Sequence, residues 1–419
     1  MKLPFRRPSP SGPAPLRRDE HQPDIVILLS VVALAAIGIL MVYSSSAIKA
    51  YVSDGNTFKV VGPQLLWALL GLIAMVVMMR VDYRLLRLVS VPAFVVALVL
   101  LVLVLIPGLG IKIGGSARWL QIGPLPALHP AEFAKLALIV YLAHWFARRG
   151  TGVRSFWGGT VTFLVVFVPV LVLVLREPDL GTSSVIGLTA VTMFFVAGAN
   201  LFHLGALTAA GVGLVVMVVS RTPYQLDRVR ALFDPWSDPQ GIGFHTIQGL
   251  LALGLGGIFG AGLGESRLAG GLFLPNASND FIFAIIGEEF GLVGGGAVVL
   301  LFLALAYRGM RVALAAPDTF GALLAAGITT WLTVQAFINL AVVVALVPIT
   351  GITLPFISAG GSSLIISFAA VGILLSISRE TVERGTWNDA PADRSGGDGG
   401  SHLPGPRRRQ VAPGAVGRA

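Results

Sequence analysis

At 419 residues the chain exceeds the usual size of one soluble domain, but its composition is more informative than its length. Hydrophobic residues make up 55% and charged residues only 12%, about half of what is usual in soluble proteins. So little charge cannot cover a water-soluble globule of this size, which excludes soluble enzyme folds. The net charge is +9, and the absence of cysteine excludes disulfides, thiolate metal sites and cysteine nucleophiles.

Apolar runs of about 20 residues, long enough to cross a bilayer, recur along the chain. The fold class that they predict is an all-α integral membrane protein, a polytopic bundle of ten transmembrane helices. Glu132, Lys135 and His144 interrupt the fourth run, which makes it the least regular of the ten. The predicted spans are 25–45, 61–79, 88–107, 131–147, 158–175, 183–199, 202–220, 281–307, 319–346 and 358–378.

Two tails flank this membrane domain of residues 24–378. Residues 1–23, which are basic, and residues 379–419 are rich in Pro, Gly, Ser and charge, so both are predicted to be disordered. The first span lacks a small-residue cleavage site, which indicates an anchor rather than a signal peptide. A long loop, residues 221–280, separates spans seven and eight, and its Gly-rich part at 241–263 is predicted to be interfacial or re-entrant.

The distribution of Lys and Arg predicts the orientation. With both termini in the cytoplasm, the inner loops carry the arginine-rich segments 80–87, 148–154 and 308–311. The excess positive charge is then the positive-inside bias of a membrane protein rather than the mark of a nucleic-acid binder. This orientation places the 221–280 loop, and the start of the eighth span, on the extracytoplasmic face.

Charged residues within or at the ends of spans are costly, so each is a candidate functional residue. Asp280 stands where the long loop enters the eighth span, and apolar neighbours there should raise its pKa toward that of a general base. The alternative is a helix N-cap, because Asp before an apolar run is a common helix start. Glu288 and Glu289 lie deeper in the same span and are expected to bond to neighbouring helices or to Lys135.

Two basic residues are candidates for holding an anionic headgroup. Lys135 is three residues from Glu132, so the two can pair along one helix face or Lys135 can face a substrate. Arg118, beside Trp119, can reach a phosphate in a bidentate way. The glycine run 254–264 is either a close packing surface or a backbone nest for a pyrophosphate. From the residues alone we expect an outward-facing site for an amphiphile, with group transfer or transport as its task.

Ten short motifs occur in order along the chain, and together they narrow the choice of function further. They are Met41–Ser46, Ala117–Trp119, Pro130–Lys135, Pro178–Thr182, Phe233–Trp236, Gly254–Gly264, Asp280–Phe283, Gly287–Gly291, Gly351–Ser358 and Gly360–Ser363. In these motifs the chain resembles the SEDS family of bacterial cell-wall polymerases, which includes FtsW, RodA and SpoVE. The resemblance runs from Asp24 to about Arg379.

The resemblance implies a peptidoglycan glycosyltransferase that polymerises lipid II at the outer face of the bacterial cytoplasmic membrane. Asp280 matches the essential aspartate of the family and would accept the proton of the acceptor sugar's 4-hydroxyl, which attacks the lipid-linked glycan chain. The predicted substrate-binding residues are Arg118, Lys135, Glu132, Gly360, Gly361 and Ser362. The family implies no organic cofactor, and a divalent cation, Mg²⁺ or Mn²⁺, is a further candidate for stabilising the leaving pyrophosphate.

Some positions depart from the family pattern. Asn276 and Ser278 replace a Glu and a His that precede Asp280 in most members, which puts any metal or proton role of that pair in doubt. Motifs in the first span, at 234–236 and at 353–356 look more like the FtsW division branch than RodA. The implied partners are a class B penicillin-binding transpeptidase and other division proteins, with no nucleic acid. The alternatives are a lipid II flippase and the elongation polymerase.

Overall fold

The computed structural model describes residues 22–113, 116–121, 127–271, 273–274 and 277–380. The two tails that were predicted to be disordered fall almost wholly outside these residues, so that prediction stays open. The regular secondary structure of the described residues is helical apart from one antiparallel hairpin between the third and fourth helices. The elements are α1 (Ile25–Asp54), α2 (Val61–Arg80), α3 (Leu86–Leu105), β1 (Gly110–Ile113), β2 (Ser116–Leu120), α4 (Pro130–Arg149), α5 (Thr162–Arg176), α6 (Leu180–Val196), α7 (Leu201–Arg221), α8 (Pro223–Phe233), α9 (Phe244–Gly256), α10 (Arg267–Gly270), α11 (Ile282–Ala315), α12 (Thr319–Val343) and α13 (Gly361–Ser378).

A helix lies at each of the ten predicted spans, but eight helices of the described residues are long and apolar enough to cross a membrane. The two others are α4 and α6. Helix α4 has 20 residues but contains Glu132 and Lys135 and ends in two arginines, and α6 has 17 residues. The structure therefore supports a polytopic membrane protein with eight candidate spans, and the count of ten stays a prediction.

Ionic contacts join helix ends at one end of the bundle. Asp24, which caps α1, contacts Arg308 of α11 at 2.6 Å. Asp318, which caps α12, contacts Arg84 and Arg87 near the start of α3 at 3.1 and 2.9 Å. The starts of α1, α3 and α12 therefore lie at the same end as the last turns of α11, and α11 and α13 begin at the opposite end.

Helix α11 is two helices joined at Gly291, whose φ of 65° and ψ of −161° lie outside the helical region. The amides of the two residues after Gly291 donate instead to the carbonyls of Gly257 and Ile258, at 2.9 and 3.1 Å. In return, the amides of Ala261 and Gly262 donate to the two α11 carbonyls that the break releases, at 2.9 and 3.0 Å. Backbone groups inside a membrane protein need such partners when a helix is interrupted.

The glycine run 254–264 is therefore a packing surface rather than an anion nest. A Cβ atom at Gly256 would lie 1.8 Å from the carbonyl oxygen of Gly287, and one at Gly260 would lie 2.1 Å from that of Glu289. Such backbone contact needs residues without side chains. Helix α9, with 13 residues, is shorter than the ~20 residues of a membrane span.

Candidate active site

Asp280 lies in the turn that leads into α11 and is 9% exposed. Its Oδ1 atom is buried and has no hydrogen-bond partner. Burial raises the pKa of Asp280 to about 6, and Arg228 opposes this rise. The residue that caps α11 is Phe281, with no side-chain cap hydrogen bond, so the N-cap alternative for Asp280 is wrong. A buried carboxyl group with a free oxygen and this pKa suits proton transfer near neutral pH.

The segment 349–359 forms a wall beside Asp280. Asn339 Nδ2 donates to the carbonyl oxygens of both Asp280 and Ile352, at 2.8 and 2.7 Å. Gly351 has a φ of 74°, and a Cβ atom there would lie 3.9 Å from Asp280 Oδ2. Ser358 Oγ donates to the carbonyl oxygen just before Asp280, at 2.6 Å. The segment is thus fixed against the turn that carries the carboxyl group.

Side chains from α8 and α12 hold this segment through its carbonyl oxygens. Besides Asn339, Gln335 Nε2 donates to Thr353 O at 3.0 Å and Arg228 Nη1 donates to Ile349 O at 2.8 Å. A segment without regular structure needs partners for its backbone groups when it lies inside a protein. These polar side chains supply three of them.

Lys135 lies in a second polar network and is 2% exposed. Its ammonium donates to Glu132 Oε1 at 2.8 Å and to Gln335 Oε1 at 2.6 Å, and it lies 5.1 Å from the centre of the Trp331 ring. Glu132 Oε2 in turn accepts from Ser363 Oγ at 3.1 Å. The pairing of Glu132 with Lys135 is confirmed. Binding of a substrate by these two residues stays a prediction.

Arg118, on β2, reaches the turn between α5 and α6. It donates to the carbonyl oxygens of Glu177 and Pro178 at 3.2 and 2.6 Å, and its Nη1 lies 3.9 Å from Asp179 Oδ2. The side chain keeps 20% of its surface exposed, so the guanidinium is oriented without being enclosed. This geometry suits a cation that holds an anionic group, which remains a prediction for Arg118.

Glu177 is a buried carboxyl group that the sequence analysis missed. It is 0% exposed, and neither of its carboxyl oxygens has a hydrogen-bond partner. Burial, with Asp179 nearby, raises the pKa of Glu177 to about 8, and Arg118 opposes this rise. The group therefore carries a proton at neutral pH.

The residues at the start of α13 pack against α2 and α4. Ser362 Oγ accepts from the amide of His129 at 3.2 Å, and the amide of Gly360 donates to Gln64 Oε1 at 3.4 Å. A Cβ atom at Gly361 would lie 2.4 Å from Trp67 Nε1. These contacts explain the small residues by packing, and contact of the same three residues with substrate stays a prediction.

Glu288 and Glu289 bond to neighbouring segments of the chain, which agrees with the first of the two predictions for them. Glu288 accepts from Ser266 Oγ at 2.5 Å and from the amide of Arg267 at 2.8 Å. Glu289 accepts from Ser44 Oγ of α1. The other expectation, a bond to Lys135, is wrong, because Lys135 pairs with Glu132.

The predicted divalent cation, Mg²⁺ or Mn²⁺, has no preformed cluster of ligands of one common kind in the described residues. They contain no group of three or more His, Cys, Asp or Glu side chains placed to hold a metal ion. Of the two departures before Asp280, Asn276 lies outside the described residues, and the carbonyl of Ser278 accepts from the amide of Ala359 at 2.9 Å. Binding of Mg²⁺ or Mn²⁺ therefore stays a prediction, with no residue assigned to hold the ion.

Four residues that the structure brings into the site were missed. Gln335 and Asn339 are uncharged polar residues four apart in an apolar span, and such a pair is a weaker signal than a charge. Glu177 is a charge at the end of a span, so the rule that singles out Glu132 and Lys135 applies to it as well. Arg228 lies in a polar loop helix, where an arginine gives no signal.

Comparison with known proteins places these motifs in a family. The family model FtsW/RodA/SpoVE, described as "Cell cycle protein", matches residues 25–383. The stage V sporulation protein E of Bacillus subtilis is 43% identical over 357 residues, which cover 85% of this chain and 97% of that protein. A probable peptidoglycan glycosyltransferase FtsW of Trichlorobacter lovleyi is 43% identical over 364 residues, 87% of this chain and 94% of that protein.

A solved structure has the same fold. It is described as "Structural coordination of polymerization and crosslinking by a peptidoglycan synthase complex", and one of its chains aligns with a TM-score of 0.69 and 30% identity over 85% of this chain and 98% of that chain. The motifs, the fold and relatives matched along nearly their whole length agree, and the chain belongs to the FtsW/RodA/SpoVE family of cell cycle proteins.

Proposed function

We propose that this chain is a peptidoglycan glycosyltransferase that polymerises lipid II into glycan strands for septal wall synthesis. The family and the relatives named FtsW support this activity. The observation that carries the proposal is the Asp280 carboxyl group, which is buried, has an unpartnered oxygen and has a pKa of about 6. At neutral pH this group is mostly ionised and can accept a proton.

The reaction needs one base and one cationic group. The Asp280 carboxylate takes the proton from the 4-hydroxyl of the acceptor sugar, and the hydroxyl oxygen attacks the anomeric carbon of the lipid-linked donor chain. The bond from that carbon to the pyrophosphate breaks, and undecaprenyl pyrophosphate leaves. Arg118, whose side chain is partly exposed, stabilises the negative charge that develops on the leaving group. The pyrophosphate bond of the donor supplies the driving force.

The substrate-binding role of the second polar network is electrostatic. Lys135 contributes its charge from within the bundle, where Glu132 and Gln335 fix the ammonium. The start of α13, at Gly360, Gly361 and Ser362, borders this network through Ser363. A preorganised charge of this kind is effective where water is excluded.

The proposed placement in the bacterial cytoplasmic membrane has ten spans, with α4 and α6 added to the eight long apolar helices. Helix α4 can cross because its Glu132 and Lys135 satisfy each other and its neighbours inside the bundle. Both termini are then cytoplasmic, at the end of the bundle that carries Arg84, Arg87 and Arg308. Asp280 is at the opposite, extracytoplasmic end.

The proposed partner is a class B penicillin-binding transpeptidase. The support is the similar chain in the peptidoglycan synthase complex, whose description couples polymerisation with crosslinking. A transpeptidase bound to this chain would crosslink strands as they emerge beside Asp280. Other division proteins complete the proposed set of partners.

Reconstitution separates polymerisation from transport. The purified protein, with its transpeptidase partner in liposomes, is given lipid II, and both glycan strands and movement of lipid II between leaflets are measured. Strands from the wild type support the proposal. Lipid II movement without strands would contradict it and would favour the flippase.

A further inference from the structure

Arg228 connects the large loop to the wall of the candidate site. It lies on α8, and its Nη1 donates to the carbonyl oxygen of Ile349, two residues before Gly351. Its guanidinium carbon lies 4.4 Å from the centre of the Tyr224 ring and the group also bonds the Tyr224 hydroxyl. The side chain is thus held by Tyr224 and by the 349–359 segment, whose Gly351 lies beside Asp280.

The charged groups around Asp280 are few in the part of the chain that the structure describes. From α9, His245 packs its ring 5.9 Å from that of Phe281, and burial lowers the pKa of His245. Along α11 itself, Glu288 and Glu289 lie about two turns further on and are bonded elsewhere. Helix α12 contributes the neutral Asn339, and the 349–359 segment has no titratable residue. Arg228, from α8, is a positive charge that lowers the pKa of Asp280, whereas Arg118 lies at the turn between α5 and α6 with Glu177 and Asp179.

We propose that Arg228 is a positioning residue for Asp280, which fixes the 349–359 segment beside the carboxyl group and keeps that group in its charged, proton-accepting form. The consequence for catalysis rests on the proposed function. The electrostatic part does not, because it concerns the protonation state of Asp280 in the resting protein.

Two contributions of Arg228 can be separated by substitution. A buried carboxyl group gains a proton more easily when a nearby positive charge is removed. Arg228→Gln removes the charge and keeps a donor for Ile349 O, whereas Arg228→Lys keeps the charge and loses the planar guanidinium. Arg230 on the same helix is a matched control, because its side chain is 64% exposed and contacts Asp227.

The direct test measures the protonation of Asp280 without turnover. Dicyclohexylcarbodiimide adds to protonated, buried carboxyl groups and gives a stable N-acylurea, which mass spectrometry quantifies on the peptide that contains Asp280. Labelling as a function of pH then gives a midpoint for each variant of the full-length protein. The variant Asp280→Asn, which lacks this carboxyl group, gives the background level of labelling.

We expect the midpoint to be near pH 6 in the wild type, in Arg228→Lys and in Arg230→Gln. In Arg228→Gln it should move upward by about half a pH unit or more. A midpoint in Arg228→Gln equal to that of the wild type would overturn the proposal, and so would an equal shift in Arg230→Gln.

The catalytic consequence is tested by polymerisation of lipid II at two pH values. Arg228→Gln should lose more of the wild-type rate at pH 6.5 than at pH 8, because the higher pH restores the ionised Asp280. An equal loss at both values would mean that Arg228 acts through structure alone, and would contradict the proposal. Failure of the wild type to make strands would overturn the proposed function, whereas the labelling result on Arg228 would stand.

Discussion

Gln335 and Asn339 lie one turn apart on α12, and each holds one polar centre of the site. Gln335 Oε1 accepts from the ammonium of Lys135, and Asn339 Nδ2 donates to the carbonyl oxygen of Asp280. Residues four apart share a helix face, so this one face of α12 fixes the distance between the two centres. A displacement of α12 would move the cation and the carboxyl group together.

Gln335→Leu should therefore lower both stability and activity. Gln335 also accepts from Trp331 Nε1 at 2.8 Å, so the substitution removes the partner of this group and of Thr353 O, each at a cost of about 1–3 kcal/mol, whereas Lys135 keeps Glu132. The thermal midpoint in detergent and the rate of strand formation measure the two effects. The control is Thr333→Val on the same helix, where the hydroxyl has no hydrogen-bond partner. Equal midpoints for the two variants would contradict the role of Gln335.

The pair of Glu132 and Lys135 can be tested by a double-mutant cycle. Lys135→Met leaves a buried carboxylate uncompensated and should cost about 3–5 kcal/mol, whereas adding Glu132→Gln should recover much of this loss. Thermal unfolding of the four proteins in detergent gives the coupling. If the double variant folds but binds lipid II more weakly than the wild type, the charges serve the substrate. Unchanged binding of lipid II would mean that the charges of Glu132 and Lys135 have only a structural role.

Gly291→Ala should disrupt the junction of α11 with the glycine run. The φ of 65° and ψ of −161° at Gly291 are a conformation that is essentially restricted to glycine, and a Cβ atom there would lie 2.5 Å from the amide of Gly260. We expect a loss of at least about 2 kcal/mol in stability, measured as a fall in the thermal midpoint. Gly296→Ala, on the same helix with nothing within 4 Å of the new Cβ, is the control and should be tolerated.

Glu177 gives a pH-dependent contribution to stability. Its pKa of about 8 in the folded state is above its ordinary value of 4.5, so between these values the folded protein holds a proton that the unfolded chain releases. Stability from this group therefore falls as the pH rises from about 4.5 to 8. The side chain of Glu177→Gln stays neutral at every pH. The thermal midpoint of this variant should therefore rise relative to that of the wild type as the pH increases from 5 to 8. The same substitution at the exposed Glu265 should show no such trend.

Much of the fold could be predicted from the sequence, because a membrane span is a local property of about 20 residues. The helix positions and the pairing of Glu132 with Lys135 depend on spacing along one chain segment. The break at Gly291 could not be predicted, since it depends on hydrogen bonds to a loop some 30 residues earlier. Arg228 was missed for the same reason, because its partner Ile349 lies 121 residues away.

The rate of lipid II polymerisation as a function of pH, for the wild type and for Asp280→Asn, tests the role of Asp280 most directly. Burial raises the pKa of Asp280 to about 6, so the base form is lost as the pH falls through that value. We expect the wild-type rate to fall on the acid side with a midpoint near pH 6, and Asp280→Asn to make no strands at any pH. Strands of normal length from Asp280→Asn, at a rate close to that of the wild type, would contradict the role of Asp280 as the base.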